Sequence, residues 1–252
     1  MSSSQLGRFL FAVAAILSFQ AVGLAGSINL DLFDSTQSAE ATIATPPTQG
    51  VGSVLTPAPS TLGDERDLFI SKVAGGEDER LRARVNPLGD SKLRIDADAE
   101  VAGSIYLTWD GQDSDANPVT GVDYNGLGGV DLAAAGDAFE IVVSFSDVGG
   151  PVMFSVFDNT ADSGAAVATA SLAIPAGIPA NTPTAFELPF ADFVGTTSAL
   201  SDAGAVLMEV QNPDGAWDLN LQSVKVVPKP GSFALAGLGL LLALVLRTKR
   251  LV

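Results

Sequence analysis

The chain has 252 residues with 29 acids, 13 bases, no cysteine and no histidine, and a formal charge of −16. The missing cysteine removes disulfides, thiol nucleophiles and thiolate metal sites, and the missing histidine removes Ser-His-Asp and Cys-His catalysis. Carboxylate chemistry is what remains for catalysis, and an oxygen-liganded ion such as calcium is what remains for metals.

The charge is unevenly placed. All the acids lie between Asp31 and Asp218, while Arg8, Lys229, Arg247, Lys249 and Arg250 sit in the two ends. Residues 27–226 therefore carry 8 bases against 29 acids, a formal −21. Seven of those bases fall in residues 66–94, and residues 95–224 hold 19 acids and no base. Such a surface repels nucleic acid and anionic lipid, favours solubility, and tolerates cations and neutral or cationic partners. No nucleic-acid partner is expected.

Residues 1–26 begin with a positive stretch containing Arg8, continue as an apolar run over 9–19, and end in small residues around Gly23, Ala25 and Gly26. This is the layout of a secretory signal peptide, cut by signal peptidase after Ala25 or Gly26. An amphipathic helix is excluded because the run has no polar face. Residues 28–34, INLDLFD, alternate apolar and polar like a half-buried strand. Residues 35–63 are rich in Ser, Thr, Ala, Gln, Gly and Pro and read as a low-complexity loop joining that strand to the main sheet.

From residue 67 the pattern is β throughout. The stretches 67–74, 81–86, 91–97, 103–111, 138–148, 151–159, 166–174, 184–190, 205–211 and 217–227 are strand-like, and Gly, Pro, Asn or Asp punctuate most of the gaps. No segment keeps apolar residues at helical spacing over three turns. The expected fold is all-β, an antiparallel jelly-roll-type β-sandwich over residues 27–226. Residues 81–96, LRARVNPLGDSKLRID, predict a hairpin with outward-facing bases and a turn at NPLGD. Phe139, Phe145, Phe154 and Phe157 are expected in the core.

Residues 109–132 form the densest polar loop, where Asp110, Asp113, Asp115 and Asp123 can offer oxygens to calcium. The spacing is not that of an EF-hand, and Asp and Asn also favour ordinary turns. Both readings stand. The glycines of residues 125–132 are not a dinucleotide fingerprint, since no helix is expected after them. Trp109, Tyr124 and Trp217 are candidate platforms for a sugar ring, the alternative being core packing. Tyr106 and Trp109, three apart on one strand, face opposite sides, so at least one belongs to the core. Paired acids for glycoside hydrolysis are easy to assemble from so many carboxylates, and no pair stands out.

The tail, Val227-Pro228-Lys229-Pro230-Gly231, then an apolar run over 233–246, then Arg247, Lys249 and Arg250, resembles a PEP-CTERM sorting tail, with Lys229 where that family has glutamate. The resemblance implies a short transmembrane helix, processing by an exosortase-like enzyme of a Gram-negative bacterium, and delivery to a surface or exopolysaccharide layer. As a helix, residues 232–246 would span about 22 Å, short of a hydrocarbon core of roughly 30 Å. That length suits transient insertion in the inner membrane better than a permanent anchor, with the basic cluster cytoplasmic. In the middle of the chain, GDERDL (63–68), WDG (109–111), NGLGGVDL (125–132), DAF (137–139), LPF (188–190) and DL (218–219) are similar, in the same order, to motifs of a group of PEP-CTERM exported proteins. That similarity implies a jelly-roll, carbohydrate-binding-like domain without enzymatic activity and with no cofactor. The expected function is a non-catalytic surface or biofilm-matrix protein; a carbohydrate-binding module and a secreted carboxylate-based glycosidase are the alternatives.

Overall fold

The computed structural model describes residues 27–42, 50–160, 164–212 and 215–228. The expected signal peptide, the apolar run 233–246, and Lys229, Pro230, Gly231, Arg247, Lys249 and Arg250 lie outside them. Among the described residues no helix is long and apolar enough to cross a membrane.

The described residues form fourteen strands: β1 (Ile28–Asp31), β2 (Gln37–Ala41), β3 (Val51–Leu55), β4 (Arg66–Ala74), β5 (Leu81–Val85), β6 (Leu93–Ala97), β7 (Ala102–Trp109), β8 (Ala138–Ser146), β9 (Gly150–Asp158), β10 (Val167–Ile174), β11 (Thr184–Pro189), β12 (Val194–Gly195), β13 (Ala203–Asn212) and β14 (Trp217–Val227). They form two antiparallel sheets. Sheet I runs β11-β8-β14-β6-β5-β2, with β1 also paired to β14, and sheet II runs β12-β10-β9-β13-β7-β4-β3. The chain crosses between the sheets eight times, after β2, β4, β6, β7, β8, β10, β11 and β13, the wrapping of a jelly-roll-type sandwich. Alternation along each strand explains the two layers. In β5, Leu81, Ala83 and Val85 are buried while Arg82 and Arg84 point out, and β6 buries Leu93 and Ile95 beneath Arg94 and Asp96. The two strands pair as the expected hairpin, Arg84 opposite Arg94 and Arg82 opposite Asp96.

Across the core, Phe139 of β8 stacks on Phe154 of β9 with centroids 4.6 Å apart, joining the two sheets. Phe145 and Phe157 are only half-buried and sit on the outer faces, contrary to expectation. Phe157 occupies the outward position of an alternating strand, whereas Phe145 shares the parity of the buried Phe139, Ile141 and Val143 and is turned outward by a bulge where β8 pairs with β14 between Leu221 and Asn220.

The segment 35–63 is the main departure from the sequence reading. It contains β2, paired to β5 in sheet I, and β3, paired to β4 in sheet II. A buried polar knot accounts for this. Arg66 points into the sandwich, and its Nη1 donates to both carboxylate oxygens of Asp31 at 3.0 Å each. Its Nε donates to Gln37 Oε1 at 2.7 Å and its Nη2 to the Ser35 carbonyl at 2.7 Å. Gln37 Nε2 in turn donates to the carbonyls of Ser53 and Arg66. Small, weakly β-forming residues are thus held as strands by hydrogen bonds from Arg66 and Gln37, which propensity does not encode. A single turn of helix, α1 (Leu132–Ala135), capped by Asp131, is a second departure.

Candidate functional site

Three of the short stretches singled out in the sequence meet at one corner of sheet II. β4 and β7 pair with Asp67 opposite Thr108, so the start of β4 lies beside the end of β7. Arg66 points inward. Alternation then sends Glu65 and Asp67 to the outer face, where residues 110–126 fold over them. The loop is closed by backbone against backbone. A Cβ on Gly126 would fall inside the carbonyl of Asp110, and one on Gly111 would lie 2.5 Å from the Gly126 carbonyl oxygen. Gly63 (φ 79°) and Gly111 (φ 89°) hold left-handed turns beside it.

The corner is acidic and enclosed. Glu65, Asp67 and Asp110 are each 1% exposed, and Asp113 is half-buried. Glu65 Oε1 accepts from the backbone N–H groups of Asp113 (2.9 Å) and Ser114 (3.2 Å). Asp110 Oδ2 accepts from Asp123 N–H at 2.8 Å, and Asp113 Oδ1 from Asp115 N–H at 2.8 Å. Glu65 Oε2, Asp110 Oδ1 and both oxygens of Asp67 have no donor, apart from a proton that Asp67 shares with Asp110. Oxygens of Glu65, Asp67 and Asp113 lie within 4.8 Å of one another. Burial, then the Asp110, Glu65 and Asp113 charges, push the Asp67 carboxyl up to about 9. Burial, with the Asp113 and Asp123 charges, pushes Asp110 up to about 7.

A pH dependence follows. In divalent-free buffer Asp67 holds its proton in the folded chain up to about 9, against an ordinary value of 3.8 in the unfolded chain. The folded state binds the extra proton throughout that interval, so the contribution to stability is complete below the unfolded value and is lost as pH rises toward 9. Thermal melts in chelator are expected to show a lower Tm at pH 8 than at pH 5.

The loop acids named from sequence are thereby sorted. Asp110 and Asp113 belong to the corner. Asp115 and Asp123 are exposed, and their carboxylates accept from Asn117 N–H and Asn125 N–H in local turns. Glu65 and Asp67 were missed, although the charged triplet Glu65-Arg66-Asp67 at the head of an apolar strand is itself a visible signal. The aromatic platform is corrected as well. Trp109 (0% exposed) and Trp217 (1%) lie in the core, Trp109 Nε1 donating to Asp31 Oδ2 at 3.4 Å. Tyr124 is half-buried, its ring tilted against Phe157 at 5.1 Å. A buried indole presents no face to a sugar.

The outer face of sheet I carries a second arrangement. Pairing places Arg84, Arg94, Asn220 and Phe145 in one row across β5, β6, β14 and β8, with Arg82, Asp96 and Asp218 in the row beside it. Arg84, Arg94, Ile95, Asp96, Phe145, Asp218 and Asn220 line a groove of about 180 Å³. Asp96 is held by Arg82 and, at 2.9 Å, by Arg84, and Arg94 by Asp90 at 2.5 Å. Burial and the Asp147 and Asp96 carboxylates push Asp218 up, with Arg82 opposing.

No protein-family model matches the chain, and no curated protein matches it in sequence. Among solved structures it is similar to the family 11 carbohydrate-binding module from Clostridium thermocellum in complex with a β-1,3-1,4-mixed-linked tetrasaccharide, at 10% identity over 81% of this chain and 96% of that one, with a TM-score of 0.38. It is also similar to an exo-β-agarase, at 14% identity over 81% of this chain and 25% of that one, with a TM-score of 0.39. A third similarity is to TmCBM61 in complex with β-1,4-galactotriose, at 9% identity over 77% of this chain and 90% of that one, with a TM-score of 0.28. At that level of similarity the ligands of those proteins say nothing about this one.

Proposed function

We propose that the chain is a non-catalytic, exported surface or matrix protein that binds an uncharged extracellular polysaccharide on the outer face of sheet I. The groove across β5, β6, β14 and β8 carries this reading. It places an aromatic ring, Phe145, beside an amide, Asn220, and beside guanidinium groups held by carboxylates. A pyranose offers C–H faces that pack on an aromatic ring and neighbouring hydroxyls that pair with planar amide, carboxylate and guanidinium groups. The groove balances acids against bases, while the rest of the domain is strongly acidic and would repel a polyanion. In this reading the first 26 residues direct export and are removed by signal peptidase. The tail containing Pro228, Lys229, Pro230 and Gly231 is handled by an exosortase-like enzyme at the inner membrane, which leaves the domain at the cell surface or in an exopolysaccharide and biofilm matrix. The three-part order of the tail supports that route.

Affinity electrophoresis of the full-length chain through gels containing neutral polysaccharides tests the binding. Retardation in at least one gel is expected, with Phe145→Ala weakening it about tenfold, equivalent to about 1.4 kcal/mol. Equal mobility in every gel would sink the reading. Release of new reducing ends would instead make Asp96 and Asp218, which face each other across β6 and β14, candidates for a glycosidase pair.

A further inference from the structure

We propose that Glu65, Asp67 and Asp113, with Asp110 alongside, form a calcium site that fastens the loop 110–126 to the outer face of sheet II. This goes beyond polysaccharide binding and uses a different face of the molecule. Acidic clusters are common, so the argument rests on the oxygens left without a donor. Both oxygens of Asp67, a residue only 1% exposed, receive no donor from any other group, and neither do Glu65 Oε2 and Asp110 Oδ1; the one bond inside the cluster is the proton that Asp67 shares with Asp110. Burying ionised carboxylate oxygens without partners costs several kcal/mol per group unless a cation or a proton compensates. Among the described residues no base does so. Arg66, the nearest in sequence, is turned inward to Asp31, and residues 95–224 contain neither lysine nor arginine.

The geometry selects the ion. Calcium binds oxygen at about 2.3–2.6 Å, so ligand atoms on opposite sides of one ion are about 5 Å apart. The oxygens of Glu65, Asp67 and Asp113 lie within 4.8 Å of one another, which places them around one such sphere. Each of Glu65, Asp110 and Asp113 uses one oxygen to accept from loop backbone and has another to turn to an ion, while Asp67 has two. Backbone donors that fix one oxygen orient the other, as second-shell groups do in metal sites. An all-oxygen donor set of irregular shape suits calcium better than magnesium, which demands a near-ideal octahedron and retains its waters, and better than zinc, which prefers nitrogen and sulfur.

The site would act as a clasp. Glu65 and Asp67 flank Arg66 at the start of β4 and Asp113 comes from the loop, so an ion shared among them ties the loop to the sheet. Without it Asp67 keeps its proton, and only that shared proton, the glycine contacts and the turn hydrogen bonds hold the loop down.

The test uses the full-length chain in mild detergent, stripped with chelator, and calcium chloride as the probe. Calorimetric titration is expected to give one ion per chain. Saturating calcium, at about 100 times its dissociation constant, should raise Tm by roughly 5–10 °C, with magnesium at equal concentration giving a smaller shift. Asp67→Asn should abolish the calcium shift and leave the metal-free Tm at neutral pH close to that of the wild type, since the amide replaces a carboxyl of the same shape that is uncharged there. Asp115→Asn, in the exposed turn, should keep the full calcium shift. Absence of both binding heat and Tm shift at millimolar calcium would overturn the proposal, as would an undiminished shift in Asp67→Asn. Should Asp67→Asn not fold, Glu65→Gln takes its place, and the wild-type titration decides alone whether an ion binds.

Discussion

Asp31→Ala is expected to destabilise the domain by about 3–5 kcal/mol, the cost of stranding a buried charge by removing its partner. For a domain of this size that is a fall in Tm of roughly 6–20 °C. Arg66 is fully buried, and Asp31 supplies two of its hydrogen bonds and its only counter-charge among the described residues. The same carboxylate accepts from Trp109 Nε1 and from Phe33 N–H, the latter at 2.7 Å, so its loss also frees donors in β7 and at the end of β1. A buried ion pair is not in itself a strong source of stability. The double replacement Asp31→Leu with Arg66→Met should therefore recover much of the loss, because both desolvated charges disappear together. Urea denaturation of the two single variants and the double variant measures this. Equal destabilisation of all three would show that the side chains matter through packing and not through charge.

Gly126→Ala is expected to cost about 3 kcal/mol, at the upper end of overpacking losses, because the added methyl coincides with the carbonyl of Asp110, and the next residue, Gly111, packs just as closely on the Gly126 backbone. Neither neighbour is a flexible side-chain tip, so relief requires the backbone to separate. The loop 110–126 should open as a unit, withdrawing the Asp113 and Ser114 amides from Glu65. Limited proteolysis should then cut within residues 111–126 in the variant and leave the wild type intact. Calcium should no longer raise Tm, since Asp113 has left the corner. An uncut variant with an unchanged calcium response would mean that the glycine contact does not hold the loop.

The β-sandwich was legible wherever a strand alternates cleanly. Leu81-Arg82-Ala83-Arg84-Val85 announces its inner and outer faces, and the hairpin it forms with β6 follows from the NPLGD turn. It was illegible where tertiary partners override composition. QSAEA in β2 and VGSVL in β3 are short and poor in bulky β-formers, and Gln37, bonded to Arg66 and to Ser53, binds them to the sheets. The candidate sites divide in the same way. Asp110 and Asp113 stand out because acids are dense in their loop, whereas Glu65 and Asp67 reach them only through the pairing of β4 with β7, some 40 residues apart in sequence. Trp109 is conspicuous as an aromatic, but the side of the sheet it occupies depends on register. Phe145 has the parity of the buried Phe139, Ile141 and Val143, and only a bulge in the pairing of β8 with β14 turns it outward, which the local pattern does not show. The groove around it draws on four strands in the spatial order β5-β6-β14-β8, which local patterning does not contain.

The most direct test of polysaccharide recognition on sheet I is amide chemical-shift mapping of the isotope-labelled chain titrated with soluble neutral oligosaccharides. Perturbations confined to the outer rows of β5, β6, β14 and β8, centred on Arg84, Arg94, Phe145 and Asn220, are the predicted result. Perturbations centred instead on Tyr124 and the loop 110–126, or none with any oligosaccharide, would contradict it.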